Sequence, residues 1–88
     1  MRLSAGQLDA CHEVLHVLDF VDGRRATCER LRSEGLERDA ARLSLDADLG
    51  MRRVDRLCAR LGVRQLLIRE IRAAVRELLA AHDALKVA

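Results

Sequence analysis

Two histidines and a glutamate lie close together near the start of the chain, and these residue types can bind a metal ion and activate water. The segment reads His12-Glu13-Val14-Leu15-His16. Four residues make about one helical turn, so both imidazoles would project from one side of a helix. Such an arrangement could hold zinc through the histidines and use the carboxylate of Glu13 as a general base.

This segment resembles the metal-binding helix of the zincin metalloproteases, and the resemblance covers five of the 88 residues. It implies a metal-dependent hydrolase with His12 and His16 as ligands and Glu13 as the base. A third ligand is also needed, but Asp19 and Asp22 follow the motif where metzincins continue with a glycine and a third histidine. A helical wheel places both histidines at the rim of the apolar face. We therefore expect solvent-facing histidines, no metal or other cofactor, and no enzymatic activity; the hydrolase is the third candidate function.

The spacing from Arg76 to His82 is a further possible acid–base arrangement. It resembles the Arg-x(4–6)-His pattern of the HEPN ribonucleases, which are helical and usually dimeric. Proton transfer needs a placed pair of groups, which spacing alone does not supply. His82 lies on the apolar stripe of the last helix, so we expect a hydrogen-bonded histidine in the core or at its rim.

Residues 54–73 form an apolar pattern around a glycine and read VDRLCARLGVRQLLIREIRA. Gly62 permits a left-handed turn, and apolar side chains on both sides of it would hold two helices at an angle. The apolar positions are Leu57, Leu61, Val63, Ile68 and Ile71.

This pattern resembles the 20-residue helix-turn-helix of phage repressors and bacterial regulators. The resemblance implies a DNA-binding transcriptional regulator whose second helix enters the major groove. Leu66 and Glu70 depart from it, because they occupy the side that would face DNA. This regulator is the alternative function. Its candidate DNA-binding residues are Arg53, Arg56, Arg60, Arg64, Gln65 and Arg69.

Composition predicts the elements that must position these residues. Half of the 88 residues are apolar, only Phe20 is aromatic, and proline is absent, which is typical of helices. We expect an all-α fold: a single helical domain over residues 1–88, built as a small bundle of three to five helices. The bundle could contain a helix-turn-helix. A chain of this size buries only about two thirds of its surface, which favours a partner or a second copy.

The expected compartment follows from features that the sequence lacks. No run of about 18 apolar residues is present, and the first residues lack the features of a signal peptide. Three cysteines without a Cys-x-x-Cys pair indicate buried thiols in a reducing environment. We expect a cytoplasmic protein without a membrane partner.

Caps and glycines predict the helix boundaries. Ser4 and Gln7 fit a capping box, and Asp22-Gly23 would end or weaken the first helix.

Residues 36–61 repeat apolar positions at steps of four and three. This pattern predicts either one helix or two helices broken at residues 48–50. Leu45 and Leu49 lie off this apolar stripe, which favours the break. Gly62 predicts a helix C-terminus, and the last helix is expected from about Arg64 to Leu85.

Charge and apolar excess predict how the bundle acts. Residues 52–76 carry eight arginines against two acidic residues, Asp55 and Glu70. This half of the chain is therefore basic, and nucleic acid is a possible partner.

A small bundle cannot bury all of its apolar residues, and some of them lie off the main apolar stripes: Val17, Phe20, Leu45 and Leu49. The leading function is a non-enzymatic protein-interaction module, such as an adaptor, chaperone-like protein or regulatory subunit, that binds a protein partner or forms a homo-oligomer such as a dimer. The expected partner-binding residues are Leu66, Leu67, Ile71, Arg69, Arg72 and Arg76.

Overall fold

Three α-helices make up the fold: α1 (Ala5–Ser33), α2 (Glu37–Leu61) and α3 (Ile68–Val87). They are seen in a computed structural model that describes residues 2–87, and this part of the chain contains no strand. The molecule is elongated, with extents of 55 × 20 × 19 Å. The prediction of a small all-α bundle is confirmed.

The first helix is capped at both ends, and the Ser4–Gln7 capping box at its start was predicted from the sequence. The Ser4 hydroxyl accepts a hydrogen bond from the Gln7 amide at 3.1 Å, and the Gln7 side chain accepts one from the Ser4 amide at 2.8 Å. At the other end Gly35 has a left-handed φ of 80°, and the Leu36 amide donates to the Leu31 carbonyl at 2.9 Å. These are the capping box and the glycine C-cap that satisfy the unpaired groups at helix ends.

The expected end or weak point at Asp22-Gly23 was wrong, because α1 passes through it without interruption. Val21 and Cys28 on either side of Gly23 are both buried. Cys28 Sγ donates a hydrogen bond to the Ala40 carbonyl of α2 at 3.2 Å. Packing against α2 therefore continues across the glycine and outweighs its low helix propensity of about 1 kcal/mol.

The second helix is also continuous, which settles the question of one helix or two over residues 36–61. Gly50 lies where α2 packs closely against α1. A Cβ atom at this position would lie 2.8 Å from Val21 Cγ2 and 3.5 Å from Val17 Cγ1. Gly50 is therefore required by helix packing rather than by a break in the chain.

The third helix begins later than expected, at Ile68 rather than at Arg64. Gly62 ends α2 with a φ of 74°, and the Val63 amide donates to the Cys58 carbonyl at 2.9 Å, as predicted. Residues 63–67 are then non-helical. We call residues 62–67 the connection.

Contacts of α3 with α1 explain the length of the connection. Arg72 contacts Asp22 and His82 contacts Leu3, so α3 runs antiparallel to α1 and in the same direction as α2. The C-terminus of α2 lies beside residues 4–10, whereas the beginning of α3 lies near Asp22. The chain must therefore travel back along α1 by about 18 Å between these two points. Extended backbone covers this distance in six residues at about 3.3 Å each, whereas helix would rise only about 1.5 Å per residue.

The core is unevenly distributed along the hairpin of α1 and α2. Its main cluster includes Val14, Leu18, Val54 and Val75, all fully buried, where α3 covers the hairpin. Toward the end of the hairpin where the turn joins α1 to α2, the buried residues of α2 are small: Ala40 and Ala47. Small side chains let two helices bury their contact without a third element.

The three cysteines lie inside this structure as free thiols. Cys11, Cys28 and Cys58 are all buried, which confirms the prediction of buried, unpaired cysteines. Within residues 2–87, no helix combines the length and apolar character that a membrane crossing requires.

Candidate functional site

The His-Glu-x-x-His segment lies on α1 with its histidines facing solvent. His12 and His16 are exposed. Glu13 is engaged by α2, because Arg53 Nε donates to its Oε1 at 2.8 Å and Arg53 Nη2 also contacts the same oxygen. The described residues contain no group of three His, Cys, Asp or Glu side chains that could hold a metal ion. This segment therefore joins α1 to α2 through the Glu13–Arg53 ion pair.

The helix-turn-helix that residues 54–73 resemble, and that belongs to the alternative function, is not formed. That motif joins two helices by a turn of about three or four residues and crosses them at about 90–120°. Here six residues separate α2 from α3, and the two helices run in the same direction. Arg64 and Gln65 lie in the connection rather than on a recognition helix.

The remaining candidate DNA-binding residues are not gathered on one helix either. Arg56 and Arg60 are exposed on α2, and Arg69 is exposed on α3. Arg53 is bound to Glu13. The six predicted residues are thus divided among two helices and the connection, and no single element presents them to a DNA groove.

The predicted partner-binding patch is only partly on the surface. Leu66 and Leu67 of the connection are 90% and 50% exposed, whereas Ile71 is 2% exposed and belongs to the core. The expectation that Ile71 belongs to a surface patch was wrong, because α3 turns this residue toward α1. Arg69 and Arg76 remain exposed.

Arg72, the remaining residue of that patch, is committed to an intramolecular ion-pair cluster. Its Nη2 donates to Asp22 Oδ2 at 2.6 Å and to Asp19 Oδ1 at 2.9 Å. The hydrogen bond to Asp22 is the main cause that raises the pKa of Arg72, and the bond to Asp19 adds to it. Arg72 therefore fastens α3 to α1 and is not a free cation at the edge of a binding surface.

A different exposed surface lies on α2, on the side opposite the core. Leu45 and Leu49 are 58% and 51% exposed, and they are one helical turn apart. At 100° per residue they share a face with four exposed arginines. We call this set the outer α2 stripe. Its members are Arg38, Arg42, Leu45, Leu49, Arg52 and Arg56.

The sequence contained a signal for this stripe that our prediction of partner-binding residues missed. Its positions repeat at steps of four, three, four, three and four, the same steps as the core stripe of α2. A second series with this spacing indicates a second contact face on one helix. Leu45 and Leu49 were interpreted as evidence for a helix break and were counted among the apolar residues that a small bundle cannot bury, but they were not included among the expected partner-binding residues.

Phe20 of α1 is another exposed apolar residue, 42% exposed, and it is not a member of the outer α2 stripe. The guanidinium carbon of Arg24 lies 4.8 Å from the centre of its ring. This cation–π contact covers one face of the ring. Leu45 and Leu49 are the apolar members of the outer α2 stripe.

Comparisons with known proteins do not assign the chain to a family. Neither the scan of protein-family models nor the searches of curated proteins and of solved structures gave a match.

Proposed function

We propose that this protein is a non-enzymatic helical module that binds another protein through the outer α2 stripe. The observation that carries the proposal is the exposure of Leu45 and Leu49 on the face of α2 opposite the core. Exposed leucines one turn apart are the arrangement by which a helix receives a partner helix.

The continuous helix that carries the stripe supports a binding role. The stripe lies on a helix of 25 residues that is continuous from Glu37 to Leu61 and is packed along α1. Binding to a surface that is already ordered avoids the entropy of ordering a loop. The fold thus presents the stripe as a preformed surface, and an adaptor or a regulatory subunit would act in this way.

Substitution of Leu49 by aspartate tests the proposal. An epitope-tagged chain expressed at its natural level should migrate in a native gel as part of a larger assembly, and Leu49→Asp should release it as the free chain. Ala26→Asp is the matched control, because Ala26 is an exposed apolar residue on α1; this variant should stay in the assembly. Unchanged migration of Leu49→Asp would contradict the proposal.

A further inference from the structure

We infer that the partner of the outer α2 stripe is an acidic amphipathic helix of another protein. This inference rests on the proposed function and adds the chemistry of the partner. It follows from the spacing, the charge and the apolar content of the stripe.

The spacing of the stripe fits one further helix. From Arg38 to Arg56 the positions alternate between steps of four and three, which is the repeat that keeps two packed helices in register. The stripe extends about 27 Å along α2. A helix lying along it would meet Leu45 and Leu49 at its centre and two arginines toward each end.

The charge of the stripe is of one sign only. The acidic residues of α2 all lie about 80° or more from the centre of the stripe at 100° per residue. They are Glu37, Asp39, Asp46, Asp48 and Asp55. Within residues 2–87 the ion pairs of arginine involve Arg53 and Arg72, so the four stripe arginines are free to pair with carboxylates of a partner.

The two central leucines distinguish a protein helix from the other anionic partners. A nucleic acid would match the arginines, but it would place phosphates against Leu45 and Leu49 and would find no aromatic side chain on which a base could stack. An anionic membrane would require a broader apolar face than two leucines. A second copy of the same face would bring its own arginines into contact with these, and like charges repel.

The matching partner helix can be specified from these facts. It carries apolar residues at its two central contact positions and glutamate or aspartate at the contact positions on both sides. The apolar pairs would exclude water at the centre, and the arginine–carboxylate pairs would lie at the rim and set the register. Its length is about 19–21 residues, the length of the stripe.

A designed peptide of about 21 residues tests this inference with the full chain. The peptide has leucine at the two central contact positions, glutamate at the flanking ones, and a fluorescent label for anisotropy. We expect saturable micromolar binding in about 50 mM salt and at least about fivefold weaker binding in about 200 mM salt, since surface ion pairs are screened. Leu49→Asp should weaken binding by at least about tenfold, whereas Leu67→Asp should leave it unchanged.

Two further probes decide between partner classes. A random DNA duplex and vesicles of mixed neutral and anionic lipid should bind more weakly than the peptide, and tighter binding of either one would overturn the inference. Equal affinity of the wild type and Leu49→Asp for the peptide would overturn it as well. Circular dichroism of each variant confirms that it is folded.

The outcomes separate this inference from the proposed function. If the peptide does not bind but Leu49→Asp still releases the chain from its assembly, the stripe binds a protein of other chemistry and only the inference fails. If Leu49→Asp leaves the assembly intact, the proposed function fails.

Discussion

The backbone amide of Leu3 donates a hydrogen bond to Nδ1 of His82 at 3.0 Å, which joins two residues 79 positions apart. Both residues are buried, at 5% and 3% exposure. Because Nδ1 accepts, Nε2 carries the hydrogen, and among the described residues this nitrogen has no hydrogen-bond partner. His82 therefore closes the N-terminal segment onto α3 and is not presented to a substrate with Arg76.

Replacement of His82 by alanine should destabilise the protein by about 2–4 kcal/mol. The variant leaves a cavity in the core and removes the acceptor of a buried amide. Urea denaturation followed by circular dichroism measures the change. Arg76→Ala is the control, because Arg76 is exposed on the same helix, and it should stay within about 0.5 kcal/mol of the wild type. Equal stability of the two variants would show that the Leu3–His82 contact does not hold the fold together.

Two helical glycines should respond to alanine in opposite directions. Among the described residues, and apart from the two neighbours of Gly23 and the adjoining helix backbone, no atom lies within 4 Å of the position that a Cβ atom would take there. Gly23→Ala should therefore stabilise the protein by about 0.5–1 kcal/mol through helix propensity. A Cβ atom at Gly50 would lie 2.8 Å from Val21 Cγ2, and the side chain of a buried valine cannot move away easily. Gly50→Ala should therefore destabilise by about 1 kcal/mol or more. Thermal melting of both variants measures the difference, and stabilisation by Gly50→Ala would refute the close helix approach.

The Arg72 cluster should stabilise the packing of α3 on α1. Arg72→Ala should lower the free energy of unfolding by about 0.5–1 kcal/mol, a modest value because the side chains of Asp19 and Asp22 are 77% and 49% exposed. Arg69→Ala, one turn earlier and exposed, should have a smaller effect. The difference between the variants should shrink in about 1 M salt, which screens surface charges. A difference that persists in high salt would mean that Arg72 acts through its apolar stem instead.

Alkaline pH should destabilise the fold through its buried thiols. Burial raises the pKa of Cys11 above the ordinary value of 9.0. Burial is also the largest cause that raises the pKa of Cys58, with smaller contributions from Asp55 and Cys11. Above pH 9.0 the unfolded chain loses these protons while the folded chain keeps them, so the free energy of unfolding falls as pH rises.

The size of this effect can be measured because the chain has no tyrosine and only one lysine. Each thiol should reduce the free energy of unfolding by up to about 1.4 kcal/mol per pH unit between its unfolded and folded pKa values. Urea denaturation between pH 8 and 10 follows the change (roughly the range in which free thiols titrate). The double variant Cys11→Ala/Cys58→Ala is the control and should show a flatter dependence. The same slope in both proteins would contradict burial as the cause.

Local features of the fold could be predicted from the sequence, because they depend on residues close together in the chain. The Ser4–Gln7 capping box and the Gly62 C-cap each involve residues within about one turn and a half of each other. The start of α3 could not be predicted in this way. It depends on contacts such as Arg72 with Asp22, 50 residues away, which decide where α3 must begin and how long the connection must be.

The candidate surface was predicted less well for the same reason. Ile71 and Leu66 are equally apolar in the sequence, but the position of α3 against α1 buries the first and leaves the second in solvent. Leu45 and Leu49 were recognised as lying off the core stripe, yet a continuous α2 was needed before they could be seen as one face. The direction in which an apolar residue points depends on the helix that contains it.

Site-specific photo-crosslinking in the native host tests the central claim most directly. A photoreactive amino acid is placed at position 49 on the outer α2 stripe, at position 67 in the connection, or at the exposed position 29 on α1 as the control. We expect a discrete crosslinked protein from position 49 and none from positions 29 and 67. A crosslink from position 67 alone would move the interaction surface to the connection, and the absence of any crosslink from position 49 would contradict the proposal that the outer α2 stripe binds a protein.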